Sequence, residues 1–379
     1  MKKLRILHTE ASSGWGGQEI RILDEAAGLI ARGHDVQLAA PAEAPIAGEA
    51  EKRGIPVHRL PIDRRQLKSL RALMRLIRAV SPQAIVTHSS TDRWLVSLAT
   101  RPMRARPAVV RTRHVSARVK PGALSRWLYG RVPARVVTTG EALRRQLIAD
   151  LDLDPARIVS IPTGVDLDRF QPGDKAEARR QLGLPDGRLI GIVATLRSWK
   201  GHRFLLGALT DPALADAHLA IVGDGPQADA LAEAVTTLGL GARVIFAGRQ
   251  NDVVPWLRAF DVFALPSTAN EGVPQALMQA MASGLPVVTT PVGAIGELVA
   301  EGKTGLMVPP EDPAALAAAL ARLLGDRDLA LRLAAAGRRH VEANFSATAM
   351  LDAMEELLGE AVGIGPAGAS TSPVGNIER

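Results

Sequence analysis

The sequence predicts an α/β protein of two domains, each built on a parallel sheet. Three observations carry that prediction. The chain has 379 residues, and domains run to about 100–200 residues each. Short apolar, β-branched runs alternate with helical patterns along it, as parallel sheets with crossover helices require. The charge also changes sign part-way: residues 1–165 hold 28 Lys and Arg against 14 Asp and Glu, and the remainder holds 18 against 25. Halves of opposite sign suggest domains with different partners, and the boundary falls near residue 165.

Hydrophobic residues make up 47% and charged residues 22%, a balance too apolar for a disordered chain. No apolar run reaches the roughly 18–20 residues that cross a bilayer. Met1 to Thr9 lacks the apolar stretch and cleavage site of a signal peptide. Cysteine is absent, which excludes disulfides, thiolate metal sites and Cys nucleophiles. A cytoplasmic enzyme or binding protein is the expectation.

In the first half, strands are predicted at Leu4–His8, Val36–Ala40, Ala84–Thr87, Ala108–Thr112, Val136–Thr139 and Ile158–Ile161. The first helix places Ile20, Leu23 and Ile30 on one face and stops at Gly33, which tolerates the left-handed conformation after a helix end. A turn-rich stretch after Pro162-Thr163-Gly164 leads into the second half. Its strands are predicted at Leu189–Ala194, Leu219–Val222, Val244–Ala247, Val262–Leu265 and Val287–Thr290. Helices follow at about 312–325 and 328–343, and a third runs from Ser346, as N-cap, to Glu360 with Met350, Met354 and Leu357 on one stripe. Residues 363–379 lack an apolar period and are expected to be disordered.

Several strand ends carry chemistry. Ser13-Gly14-Trp15-Gly16-Gly17-Gln18-Glu19 stands between the first strand and its helix. Glycine there lets a ligand approach the backbone, and the helix start offers N–H groups to an anion. A plain tight turn explains the loop equally well, and no acidic residue ends the second strand to hold a ribose. Val193 to Gly201 brings Arg197 and Lys200 to a strand end and helix start, a setting suited to a diphosphate. Gly223-Asp224-Gly225-Pro226 follows the next strand. The most specific segment runs from Pro266 to Val288, where a loop with Glu271 and Gly272 precedes a helix starting near Pro274. Gln279 lies two helical turns past Glu271, so both could face one ligand; Glu271 could also be a cap. His88 and His114 each follow a strand and sit at sheet ends, where lone histidines are often structural.

With that segment read, the chain resembles the GT4 family of retaining glycosyltransferases of GT-B fold, of the bacterial type that builds lipopolysaccharide and glycolipid. The resemblance runs from Leu4 to about residue 360. Its motifs occur in order: Gly16-Gly17, Thr112-Arg113-His114, Gly164-Val165-Asp166, Lys200-Gly201, Gly223-Asp224-Gly225-Pro226 and the Glu271 helix. It implies two Rossmann-like domains facing each other across a deep cleft. Residues 1–165 would bind acceptor, 166–345 would bind nucleotide sugar, and a helix over 346–362 would cross back to the first domain.

The resemblance also implies roles. Gly16 and Gly17 would lie beside the donor diphosphate, as would Gly223 and Gly225. His114 would meet the donor sugar's hydroxyls, and His88 would contact the acceptor. Lys200 would neutralise the leaving diphosphate. Glu271 would hold the donor sugar, with the Gly272-Val273-Pro274 turn on the phosphate. The backbone near Arg249, Gln250 and Asn251 would read the base. Two positions depart from the family: Gln279 replaces a glutamate that grips the ribose, and Thr195 replaces an arginine, for which Arg197 is the candidate substitute. The co-substrate implied is a nucleotide-diphosphate sugar, UDP-linked, with no resident cofactor. A diphosphate leaving group needs cations and helix N-termini more than a general base. No His/Asp/Glu spacing suggests a metal site, and Arg197 with Lys200 would make a divalent ion unnecessary.

The first half is also basic in a patterned way. Arg64, Lys68, Arg71, Arg75 and Arg78 follow helical spacing beside an apolar stripe of Leu67, Leu70, Met74 and Ile77. From Arg93 to Gly140 there is no acidic residue, while Arg101, Arg104, Arg106, Arg111, Arg113, Arg118, Lys120, Arg126, Arg131 and Arg135 are present together with Trp127 and Tyr129. A solvated helix face is the plain explanation of the first group. Together they point to an anionic glycolipid or to the inner face of the cytoplasmic membrane. Nucleic acid is not expected, because aromatics are only 3%, too few for stacking platforms. The leading function is sugar transfer from a nucleotide diphosphate to a lipid-linked or lipopolysaccharide-type acceptor. The alternatives are a nucleotide-sugar epimerase of the same fold and a catalytically weak lipid- or polyanion-binding protein.

Overall fold

The structure is a computed structural model that describes residues 2–114, 118–269 and 271–364. Residues up to Gly164, joined by the segment from Thr348 onward, form one compact unit, and Val165–Ala347 form the other. The expectation for 363–379 falls, from residue 365, outside the described residues.

In chain order the first unit contains β1 (Arg5–Thr9), α1 (Gly17–Ala31), β2 (Asp35–Ala40), α2 (Pro45–Lys52), β3 (Val57–Arg59), α3 (Leu67–Val80), β4 (Ala84–Thr87), α4 (Ser90–Thr100) and β5 (Ala108–Arg113). It continues through α5 (Ala123–Arg126), which runs into a π-helical turn at Trp127–Arg131, then β6 (Arg135–Thr138), α6 (Glu141–Leu151) and β7 (Ile158–Ser160). The strands form one parallel sheet in the order β3-β2-β1-β4-β5-β6-β7. Both faces are covered. Leu4 and Ile6 of the β1 region, with Ala84 and Val86 at β4, enter one core cluster, while Leu7 and Ile85 enter the other. That is strand alternation at work: neighbouring side chains point to opposite faces, so a strand covered on both sides must be apolar throughout.

The second unit contains α7 (Lys175–Leu182), β8 (Leu189–Val193), α8 (His202–Ala208), β9 (His218–Val222), α9 (Ala228–Thr237), β10 (Val244–Gly248), α10 (Val254–Ala259) and β11 (Val262–Leu265). After these come α11 (Gln275–Ala282), β12 (Val287–Thr289), α12 (Ile295–Leu298), β13 (Leu306–Met307), α13 (Pro313–Gly325) and α14 (Arg327–Asn344). Its parallel sheet has the order β10-β9-β8-β11-β12-β13. The last helix, α15 (Ala347–Ala361), buries Met350, Met354, Leu357 and Leu358 in the first unit's core beside Ile22, Leu23 and Leu29 of α1. Two strands escape the sequence pattern: β3 is three residues with two polar side chains, and β13 is two residues long.

Three local expectations are corrected. The buried arc of α3 is Ser69, Leu73, Leu76 and Ile77, while Leu67 is 60% exposed at the helix's first position. The arginine-rich stretch is not all surface: Arg111 and Arg113 are buried in β5, and Tyr129 is buried beneath them. Pro274 stands at the N-cap of α11, extended at ψ 121°, not inside the helix. Glu271 lies in the loop ahead of this helix, as expected, so only Gln279 of the two is on α11.

Candidate active site

In each sheet the chain reverses direction once, and ligands of open α/β sheets bind beyond the carboxyl ends of the strands at that point. In the second unit the reversal lies between β8 and β11. Both flanking loops carry predicted residues. A short 3₁₀ turn, Ser198–Lys200, follows β8, and Glu271 follows β11. The Lys200 ammonium donates to Oε1 of Glu271 at 2.6 Å, and the Ser267 hydroxyl donates to the same oxygen at 2.5 Å. Glu271 is 4% exposed. Thr290 Oγ1 donates to the Ser267 carbonyl at 2.5 Å, so a third strand end supports the carboxylate.

The backbone ties these loops together. Thr268 N donates to the Trp199 carbonyl at 2.8 Å, and Leu196 N to the Asp224 carbonyl at 2.8 Å. Gly201 has φ 78°, and a Cβ on it would overlap the Pro266 carbonyl oxygen. Gly293, at φ 63°, packs as closely on the carbonyl of Glu271. Gly223 and Gly225 lie against the Ala194–Leu196 backbone. The structure thus brings Lys200, Glu271, Gly223 and Gly225 to one sheet end.

The remaining predicted residues of this unit are placed as follows. Arg197 is exposed, its guanidinium 5.6 Å from the Trp199 ring centre. Gly272 is half-buried, while Val273 and Pro274 are buried ahead of α11. Gln279 is half-buried on the first turns of α11. Arg249, Gln250 and Asn251 follow the edge strand β10, where Gln250 Nε2 donates to the Ala247 carbonyl at 2.7 Å.

In the first unit the reversal lies between β1 and β4. Gly16 is the extended N-cap of α1 and Gly17 its first residue. Two carboxyls attend this helix start. Glu10 accepts from Ser12 N at 2.7 Å and from Gln18 Nε2 at 2.5 Å. Burial, with Asp92 adding to it, pushes Glu10 up to about 8, and burial also raises Glu19. His88 is 2% exposed. Its Nε2 lies 3.0 Å from His8 Nδ1 and its Nδ1 lies 3.0 Å from His114 Nε2. Both ring nitrogens are therefore engaged by neighbouring imidazoles of the first unit. Asp92 holds the turn, accepting from His88 N at 2.8 Å, Thr9 Oγ1 at 3.0 Å and Ser89 Oγ at 2.9 Å.

Sequence reasoning missed His8, Asp92, Ser267 and Thr290. The only signal for them was position: His8 and Ser267 stand at or just past the ends of β1 and β11, Thr290 just past β12, and Asp92 in the first turn of the helix after β4. Among the described residues, no group of three or more His, Cys, Asp and Glu side chains is placed to hold a metal ion.

Two Rossmann-like domains with loops of this kind define the GT-B class of glycosyltransferases. Residues 15–169 match the family described as Glycosyltransferase Family 4, and residues 187–326 match Glycosyl transferases group 1. The chain belongs to the GT4 glycosyltransferase family. A D-inositol 3-phosphate glycosyltransferase of Salinispora arenicola is 35% identical over 248 residues, 60% of this chain and 55% of the relative. The lipopolysaccharide core biosynthesis mannosyltransferase LpsB of Rhizobium meliloti is 33% identical over 233 residues, 59% of this chain and 64% of the relative. The chain thus matches little more than half the length of such relatives. Anabaena Alr3699/HepE in complex with UDP-glucose has a similar fold, with a TM-score of 0.84 at 23% identity over 94% of this chain and 100% of that one.

Proposed function

We propose that the protein transfers a hexose from a UDP-linked donor to a lipid-linked or lipopolysaccharide-type acceptor, with retention of configuration. The observation that carries this reading is the Lys200–Glu271 ion pair at the reversal point of the second sheet. A buried carboxylate and a cation neutralise each other there until a dianionic ligand arrives. The diphosphate then attracts the ammonium, and the freed Glu271 oxygen accepts from sugar hydroxyls. Arg197 adds a second cation from the same loop. Gln279 offers amide hydrogen bonds to the ribose in place of a carboxylate's, and Arg249 to Asn251 line the base.

In the reaction the bond from the anomeric carbon to the diphosphate oxygen breaks, and a bond from that carbon to an acceptor hydroxyl oxygen forms on the same face. The acceptor proton passes to the departing phosphate oxygen. Lys200 stabilises the charge that grows on that phosphate, an interaction stronger in the transition state than in the ground state. The mannosyltransferase relative supports the hexose and the lipopolysaccharide-type acceptor, and HepE with UDP-glucose supports the nucleotide.

The same proposal includes attraction to anionic lipid. Lys68, Arg71, Arg75 and Arg78 are exposed on α3. Near it, at the end of the sheet away from the catalytic loops, a hollow of about 780 Å³ is lined by Arg5, Arg78, Arg104 and Arg106. No described helix is long and apolar enough to cross a membrane, so attachment would be peripheral.

The test is a thermal-shift screen of UDP-, GDP- and ADP-sugars followed by product analysis with a lipid-linked acceptor. Stabilisation by a UDP-sugar and an α-linked product from an α-linked donor are expected. A new nucleotide sugar formed without acceptor would replace this reading by epimerisation. Absence of any turnover would replace it by binding alone.

A further inference from the structure

Three imidazoles of the first unit form a line, and the sequence singled out only its middle and outer members, His88 and His114. The gaps His8 Nδ1 to His88 Nε2 and His88 Nδ1 to His114 Nε2 are each 3.0 Å. Ring centres are 5.3 and 5.2 Å apart, with planes 9° and 33° apart. That spacing is close to the N···N gap plus two ring radii, so the rings meet edge to edge along the hydrogen bonds and not face to face.

A neutral imidazole has one N–H and one bare nitrogen. Both gaps are bridged only if all three rings carry the proton on the nitrogen of the same name. With every proton on Nδ1, the bonds run outward from His8 to His114; with every proton on Nε2, they run inward. The atom that decides is His8 Nε2, which is buried and has no hydrogen-bond partner. The inward register would leave a buried N–H there unmatched. The outward register leaves only a bare nitrogen, and orphaned buried N–H groups are the rarer defect. Charged rings do not blur the choice. Burial lowers His8 to about 4 and holds His88 and His114 well below their ordinary value, helped by the positive charges of Arg21 and Arg111.

We propose that His8 and His88 are positioning residues that fix His114 as its Nδ1–H tautomer, so that its outer nitrogen is a hydrogen-bond donor and not a base. That Nδ1 has no partner among the described residues, and the ring is half-buried. A donor at that atom suits a ligand oxygen, and a sugar hydroxyl is the acceptor it would take. Only this last step rests on the sugar-transfer reading.

Long-range proton–nitrogen spectra of the ¹⁵N-histidine-labelled full chain at neutral pH read the tautomers directly, with His114→Gln to assign the signals. The expected result is a proton on Nδ1 of His8, His88 and His114. In His8→Leu, which removes the first donor at similar volume, His114 should move toward the Nε2–H form that free imidazole favours. In His8→Asn, whose amide can donate from the place of Nδ1, it should return. A proton on His114 Nε2 in the unaltered protein would overturn the proposal. If His8→Leu fails to fold, the unaltered protein and His8→Asn still decide. In sugar transfer, kcat of His8→Leu should fall about tenfold, the worth of one misdirected hydrogen bond, and His8→Asn should recover it. Shifted tautomers with unchanged kcat would refute the catalytic consequence. Absence of transfer in the unaltered protein would sink the function and leave the tautomer result standing.

Discussion

Lys200 Nζ lies 2.6 Å from Glu271 Oε1, although the two residues follow strands β8 and β11, 71 positions apart. The pair spans the point where the second sheet reverses, and Ser267 shares the same carboxylate oxygen at 2.5 Å. Lys200→Met should destabilise the second unit by about 3 kcal/mol, the low end for a buried pair broken on one side. Calorimetry would show it. UDP should raise the melting temperature of the unaltered protein by mass action and leave that of Lys200→Met almost unmoved. Equal stabilisation of both would remove Lys200 from the diphosphate site.

Gly201 joins the Lys200 turn to α8 at φ 78°, directly on the Pro266 carbonyl. Gly201→Ala adds left-handed strain of about 1–2 kcal/mol to a backbone overlap that only movement of the β11 loop can relieve. It should lower the melting temperature and separate Lys200 from Glu271. Gly241→Ala, with open space around its Cβ, is the control and should change neither.

Buried ionisable groups of the first unit give opposite pH signatures. His8 falls from 6.5 to about 4 on folding through burial. The unfolded chain therefore binds its proton first, and this stability is present above 6.5 and lost as pH falls toward 4. Glu10 rises from 4.5 to about 8, chiefly through burial, so its contribution is present below 4.5 and lost as pH rises through about 8. Relative to the unaltered protein, His8→Asn should lose less stability as pH falls from 6.5 toward 4, and Glu10→Gln less as pH rises from 4.5 to about 8. Melting curves taken from pH 4 to 9 would show both differences, and parallel curves would contradict the assignment.

The basic face of α3 should govern any attraction to lipid. Replacing Arg71, Arg75 and Arg78 by Gln removes three cations at about 1 kcal/mol each, so partitioning onto anionic vesicles should fall about a hundredfold at low salt. Flotation with phosphatidylserine vesicles measures it, with neutral vesicles as reference. Binding unchanged by the substitutions would take α3 out of the interface.

Much of this protein could be read in one dimension. The strands at Ala84–Thr87 and Val262–Leu265 coincide with apolar, β-branched runs, because a strand buried on both faces must be apolar at successive positions. The turn glycines and the Glu271 segment were legible for a similar reason: close backbone approach and a helix start each restrict residue type locally. What spacing alone could not give is which polar groups meet across the sheet. The apolar run at Ala108–Thr112 marks a strand there, but it does not reveal that the guanidiniums of Arg111 and Arg113 are buried in β5 while Arg101, Arg104 and Arg106 stay exposed. Likewise, His8 and His88 are 80 positions apart, and they meet because β1 and β4 are neighbours in register at the reversal point. Local pattern determined the elements, since propensity and alternation act over a few residues. Strand order determined the site, since hydrogen bonds and ion pairs act only between groups that folding has brought within about 3 Å.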